Sequence, residues 1–263
     1  MLLRDKTAIV YGATGAVGTA IAKAFAAAGA AVYVSGRRTE ALDALVAQIR
    51  AAGGRAHAAE VDALDESSVQ RHLAAVVAER GRLDISFNAI GIAQDGLQGI
   101  PLTEISIDAF MLPIATYAQA HFVTARSAGR AMAQRGGGVI LMHTPEPARV
   151  GIPLVGGMGP AWAALEGLSR ALSAELASQG VRSVCLRSTG LPETATIDLV
   201  FDLHARPMGM TRAQFLAMLE GLSHRRRLAT LEELAAAAVF AASDAAAALT
   251  GTALNLTGGL APD

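Results

Sequence analysis

Apolar residues recur along this chain in two alternating rhythms: short unbroken runs, and longer stretches with helical spacing. The first run, Thr7-Ala8-Ile9-Val10-Tyr11, stops at a glycine-rich turn, and Thr19–Ala28 then reads as a helix closed by Gly29. Ala31–Ser35 predicts a second strand. Over Glu40–Ala52 the apolar positions Leu42, Leu45, Val46 and Ile49 share one helical face, and Gly53-Gly54 ends the helix. Further strands are predicted at Arg55–Val61, Leu83–Asn88, Val139–His143, Arg182–Leu186 and Ala253–Leu256. Helices alternate with them at Ser67–Glu79, Ile107–Gln134, Trp162–Ser178 and Leu231–Ala242, and Pro113 is expected to start or kink the long one. Strand–helix alternation at this spacing requires right-handed crossovers and a parallel sheet. The expected architecture is α/β: a doubly wound, seven-stranded parallel sheet with helices on both faces, one domain over residues 1–263.

The segment Ser188–His224 breaks the rhythm with Pro192, Pro207 and three methionines, just after a strand's C-terminal end. Ligands bind at that edge of an open parallel sheet, so the segment is expected to be a lid that sets the substrate. Its Met208, Met210, Phe215 and Met218 suit an apolar ligand, and core packing explains them equally.

Composition changes this picture little. The chain has 263 residues, 52% of them hydrophobic, ample for one large core. A net charge of −1 gives no electrostatic reason to expect nucleic acid or an anionic membrane as partner. The single cysteine, Cys185, excludes an internal disulfide and reads as a buried strand residue. Arg4, Asp5 and Lys6 precede only a short apolar run, which is no signal peptide, and no stretch reaches the ~18 residues of a membrane span. A cytoplasmic protein is expected. The histidines and acids show no metal-ligand spacing, so no metal is expected.

Chemistry begins at Gly12-Ala13-Thr14-Gly15-Ala16-Val17-Gly18, which follows a strand and opens a helix. Gly12 permits a tight turn, Gly15 lets backbone approach a pyrophosphate, and Gly18 lets the helix pack on the sheet. The helix N-terminus offers free N–H groups, and Thr14 and Val17 border the same space. Within a strand–helix–strand unit this marks a Rossmann-type dinucleotide site. The second strand ends Ser35-Gly36-Arg37-Arg38, where a fold preferring the unphosphorylated cofactor places an acid. Two guanidinium groups there can grip a 2′-phosphate, so NADP(H) is expected, with NAD(H) as second choice. The alternative is that both arginines are solvated surface charges.

With these residues in place the chain resembles the short-chain dehydrogenase/reductase family over nearly its whole length. Val61-Asp62-Ala63 looks like that family's adenine contact after the third strand, and Phe87-Asn88-Ala89-Ile90-Gly91 resembles its Asn-Asn-Ala-Gly signature after the fourth, with Phe87 in place of the first Asn and Ile90 in place of the glycine. The run Asn255-Leu256-Thr257-Gly258-Gly259 is similar to its last strand. Thr194 stands where the resemblance implies a nicotinamide contact. The family delivers a proton through a tyrosine, a lysine four residues later, a serine and an asparagine. Anchored on Ala163-Ala164-Leu165-Glu166-Gly167-Leu168, the lysine position holds Trp162 and the tyrosine position Met158. The serine position is Pro145, with Thr144 beside it, and the asparagine position is Tyr117. The enoyl-reductase branch, which spaces its tyrosine seven residues before the lysine, would need one at Val155. Between Thr144 and Gln179 there is no tyrosine and no lysine.

The cofactor half of the site therefore matches and the proton-delivery half does not. One expectation is hydride transfer with a different donor or none, as for a C=C or C=N bond of an apolar small molecule. Tyr117, Thr144 and His143 are the candidate catalytic residues, with Glu146 behind them, while Met158 and Trp162 flank the substrate. His121 is expected on a helix surface or an interface. The alternative is an NADP(H)-binding pseudo-enzyme, sensor or non-redox enzyme. The Ala-, Gly- and Ser-rich helices over Ala118–Ala133 and Ala161–Ala177 suit close helix packing between subunits, as in the family it resembles. A homotetramer is expected, with a dimer as second choice.

Overall fold

Seven parallel strands form one sheet: β1 (Thr7–Tyr11), β2 (Ala31–Gly36), β3 (Arg55–Glu60), β4 (Ile85–Asn88), β5 (Gly138–Pro145), β6 (Val181–Ser188) and β7 (Thr252–Leu256). Their order is β3-β2-β1-β4-β5-β6-β7 in a computed structural model that describes residues 1–262. The chain winds outward from β1 in one direction, then returns to β4 and winds in the other. The strand order thus reverses between β1 and β4, and crevices for ligands open at the strands' C-terminal ends at such a reversal.

Helices cover both faces, which is why most strands are near-continuous apolar runs. On one face lie α1 (Ala16–Ala27), α2 (Thr39–Ala51) and α8 (Leu231–Ala242). Ala8 and Val10 of β1 point to that side, into a core with Phe25, Leu42 and Leu234. Ile9 and Tyr11 point the other way, toward α3 (Glu66–Arg80), α4 (Ile107–Ala133) and α5 (Met158–Leu176). The alternation is the two-residue period of a strand, with both phases buried.

Three features differ from the sequence reading. Pro113 does not start α4 but lies inside it: the helix begins at Ile107, and the Ser106 hydroxyl accepts the Ala109 N–H at 3.2 Å as its cap. α5 begins at Met158, a turn earlier than expected, and takes Pro160 into its first turn, where a missing N–H breaks no helical bond. The segment after β6 is not irregular. It folds into α6 (Ala195–Ala205) and α7 (Arg212–Leu222), capped by Thr194 and by a Thr211/Gln214 capping box. Phe201, Ala205, Phe215 and Leu228 form a small core of their own there. No helix among the described residues is long and apolar enough to cross a membrane.

Candidate active site

At the strands' C-terminal edge a cleft of about 550 Å³ runs from the glycine turn before α1 to the inner faces of α6 and α7. Its first end is built from backbone. Gly12 has φ 68°, and a Cβ on it would lie 2.8 Å from the Ala89 backbone. A Cβ on Gly18 would lie 2.5 Å from the Gly12 carbonyl oxygen, so the two glycines lock turn to helix. Gly15 caps α1 without any side-chain bond, leaving the first N–H groups of the helix facing the cleft. This cradle fits a diphosphate: it offers donors and positive partial charge, and no side chain fills it.

Around the cradle the cofactor-side candidates fall into two sets. Thr14, Val17, Arg37, Arg38, Asp62 and Ala63 line the cleft, as do Asn88, Ala89, Gly91 and Thr194 beyond them. Gly18 and Ser35 lie behind its wall. Ser35 is fully buried, donating its hydroxyl to the Val10 carbonyl at 3.3 Å, so its place is in the sheet and not against a ligand. The two arginines also differ. Arg38 Nη2 donates to the Thr14 carbonyl and hydroxyl oxygens at 3.1 and 2.8 Å, bracing the glycine turn, whereas exposed Arg37 has no partner among the described residues. Asn88 spends its amide on α4, donating to Thr124 Oγ1 at 3.0 Å, and accepts the Ile90 N–H at 3.0 Å. It holds the loop that forms the cleft wall. Thr194 donates its hydroxyl to the Leu191 carbonyl at 3.0 Å while capping α6.

At the far end two expected site residues drop out. Thr144 is fully buried and donates to Glu166 Oε1 at 3.2 Å. Glu166 is itself held bidentately by Arg187, Nε and Nη2 each donating at 2.8 Å, so the Thr144 hydroxyl belongs to a structural network behind β5. Met158 does not flank a substrate either: it is 1% exposed and packs in the core beneath α5. Trp162, one turn on, does reach the cleft.

Four titratable groups from α4, β5 and the turn after β5 remain on this wall. Tyr117 lies in the cleft, but burial pushes its phenol up to about 12, although the Ile92 N–H facing it acts the other way. No cation lowers it, so it holds its proton rather than giving it. His143, at the end of β5, lies 2.8 Å by Nε2 from Ser188 Oγ. Ser188 donates its single proton to the Thr189 carbonyl at 2.8 Å, so His143 carries hydrogen on Nε2 and leaves Nδ1 a lone pair. Burial first, then the nearby His121, hold it down to about 4, so it is neutral near pH 7. His121 is not on a surface as expected: it is 2% exposed, turns inward against the Tyr117 carbonyl and lines the cleft, and burial holds it too near 4. Glu146 is the fourth, in a short turn after β5, and burial raises its carboxyl to about 7.

Sequence reasoning missed the polar ladder that ties this end together. Gln94 Nε2 donates to the Ile92 carbonyl at 2.7 Å, Gln98 Nε2 to Gln94 Oε1 at 2.6 Å, and His204 Nε2 meets Gln98 Oε1 at 3.0 Å. All three side chains are buried and line the cleft, joining the loop after β4 to α6. The four-residue spacing of Gln94 and Gln98 was the available signal, but it carries meaning only once α6 is known to lie across from it.

A family model described as enoyl-(acyl carrier protein) reductase matches residues 12–261. D-threitol dehydrogenase of Mycolicibacterium smegmatis is 32% identical over 257 residues, covering 98% of this chain and 93% of that protein. Sorbitol-6-phosphate 2-dehydrogenase of Erwinia amylovora superposes with a TM-score of 0.90 at 26% identity, over 97% of this chain and 100% of the other. An NAD+-bound xylitol dehydrogenase shares the fold, with a TM-score of 0.91 at 22% identity over 98% and 100% of the two chains. With the model spanning nearly the whole chain and the sheet order in agreement, the chain belongs to the short-chain dehydrogenase/reductase family.

Proposed function

We propose that this protein is an NADP(H)-dependent oxidoreductase that reduces a C=C or C=N bond of an apolar small molecule. One observation carries the reading: the cleft runs without interruption from an unfilled diphosphate cradle to a far end that has no tyrosine–lysine pair. A bound reduced nicotinamide would supply the hydride. The chain's part is then to hold the dinucleotide on Gly12–Gly18 and to exclude water with α6 and α7, which act as the lid of a single 1–263 domain. It also places the substrate between Trp162 and the lid. Met158 stays in the core and leaves the substrate space open, which favours turnover over a pseudo-enzyme that merely binds. Arg37, with its guanidinium uncommitted, is the residue that would take the 2′-phosphate; Arg38 would steady the turn. The proposed assembly is a homotetramer through α4 and α5, with a dimer as the second choice.

The decisive experiment follows loss of NADPH absorbance with panels of enones, imines and ketones. Turnover of enones or imines with ketones inert is expected; bound cofactor with no turnover on any panel would favour the binding-only reading instead. Arg37→Ala is expected to weaken NADPH by about tenfold or more while leaving NADH within about twofold, read by quenching of Trp162 fluorescence. Light scattering at micromolar protein tests the assembly, and a monomer would refute it.

A further inference from the structure

Glu146 is a group that neither the cradle nor hydride transfer uses. It sits in the cleft wall, is 6% exposed, and its Oε2 has no hydrogen-bond partner among the described residues. The backbone N–H groups of Gly190 and of Glu146 itself face the carboxyl, and no charged side chain among the described residues does. The cleft's arginines, Arg37 and Arg38, stand at the cradle, and Arg149 lines a separate hollow. A carboxyl buried in this way is costly unless something donates to it or neutralises it. The same cleft wall also carries aromatic side chains. Trp162 comes from α5, which packs on the Glu146 turn, and Tyr117 comes from α4. Aromatic faces attract cations, and most strongly where water is excluded.

We propose that this end of the cleft is a cation subsite, which takes a substrate with a protonated imine or amine nitrogen and holds it with Glu146 as counter-ion between Trp162 and Tyr117. The inference rests on the oxidoreductase reading and narrows its substrate to a C=N compound. The chemical balance closes without a proton donor. The hydride's electron pair forms the new C–H bond, the C=N π pair becomes the nitrogen lone pair, and the iminium charge is cancelled. A ketone or its alkoxide would need a proton at the same step, and the family's tyrosine–lysine positions hold Met158 and Trp162 here. The site is thus consistent with a substrate that brings its own proton and charge.

Four other ionisable side chains border the same end: His143 at the end of β5, His121 and Tyr117 on α4, and His204 on α6; the Glu166–Arg187 pair lies behind β5. His121 and His143 stay neutral down to about 4 and Tyr117 stays protonated up to about 12, with His204 also lowered by burial. Glu146 is therefore the group that titrates near neutrality, and a cation bound beside it favours its carboxylate.

The test uses the full chain without nucleotide, with benzylamine and its neutral isostere benzyl alcohol as probes. Binding is read by Trp162 fluorescence and calorimetry from about pH 5 to about pH 8. Benzylamine is expected to bind about tenfold or more tighter than benzyl alcohol at the upper end. The preference should shrink as pH falls through about 7 and disappear in Glu146→Gln. Equal binding of the two probes, binding of neither, or an amine preference that survives in Glu146→Gln would each overturn the proposal. The wild-type pH profile tests the subsite even if the variant fails to fold. Because no cofactor is present, an intact cation subsite in a protein that turns over no imine would sink the oxidoreductase reading alone.

Discussion

A Cβ on Gly15 would meet the Gly12 carbonyl oxygen at an ordinary 3.6 Å, and its φ of −79° suits any residue, so the chain itself does not need glycine there. The need arises only if a ligand's phosphates press against the helix end. Gly15→Ala should therefore leave thermal stability within about 0.5 kcal/mol of wild type, yet weaken nucleotide binding by about tenfold or more in calorimetry. Gly12→Ala is the contrast, since its φ of 68° and the 2.8 Å approach to Ala89 cost stability as well. At this scale the sequence is readable wherever a residue acts through its own backbone, as in the glycine turn. It misleads where the role depends on what stands opposite. Thr144, one place from the expected serine position, reads as a catalytic hydroxyl, but Glu166 across the strand claims it. His121 reads as a surface residue from its helix alone, and only the α4 orientation turns it into the cleft.

Between elements, the Glu166–Arg187 pair joins α5 to β6 and holds β5 through Thr144. Both members are buried, so removing one leaves the other charge without compensation. Glu166→Ala is expected to lower stability by about 3–5 kcal/mol in denaturant titration. Thr144→Val should cost far less and leave turnover near wild type, because the Arg187–Glu166 bonds remain. Loss of turnover in a folded Thr144→Val protein would restore the hydroxyl to catalysis. The strands and the helices packed on the sheet are legible because each buries a continuous face whose period shows in the sequence. α6 and α7 are not, because they pack mainly on each other and on the cleft mouth. Their apolar residues, Phe201 and Phe215 among them, close a small core that no sheet periodicity announces. The start of α5 is hidden by Gly157-Met158-Gly159-Pro160, a run that reads as a turn and becomes helix because Pro160 falls in the first turn.

At the scale of the whole molecule, buried titratable groups set opposing pH dependences. Burial lowers His72, His121 and His143 from 6.5 to about 4, and His204 in the same direction. The unfolded chain binds protons at these sites that the folded chain refuses, so their contribution is complete above about 6.5 and is lost as pH falls toward 4. Glu146 works the other way. Its carboxyl is raised from 4.5 to about 7, so the fold holds a proton the unfolded chain has released, and stability is lost as pH rises from 4.5 through 7. Stability should therefore rise from the acid side and level off near pH 7, because the histidines outnumber the one carboxyl. Replacing Glu146 by glutamine removes only the carboxyl's opposing contribution between about pH 4.5 and 7. Glu146→Gln is expected to match wild type near pH 5, where both side chains are neutral, and to exceed it near pH 8 by on the order of 3 kcal/mol. Thermal melts of the two proteins across this range measure the difference directly. A stabilisation equal at both ends would mean that the carboxyl is not strained by burial, and a loss at pH 8 would mean that it already has a cationic partner.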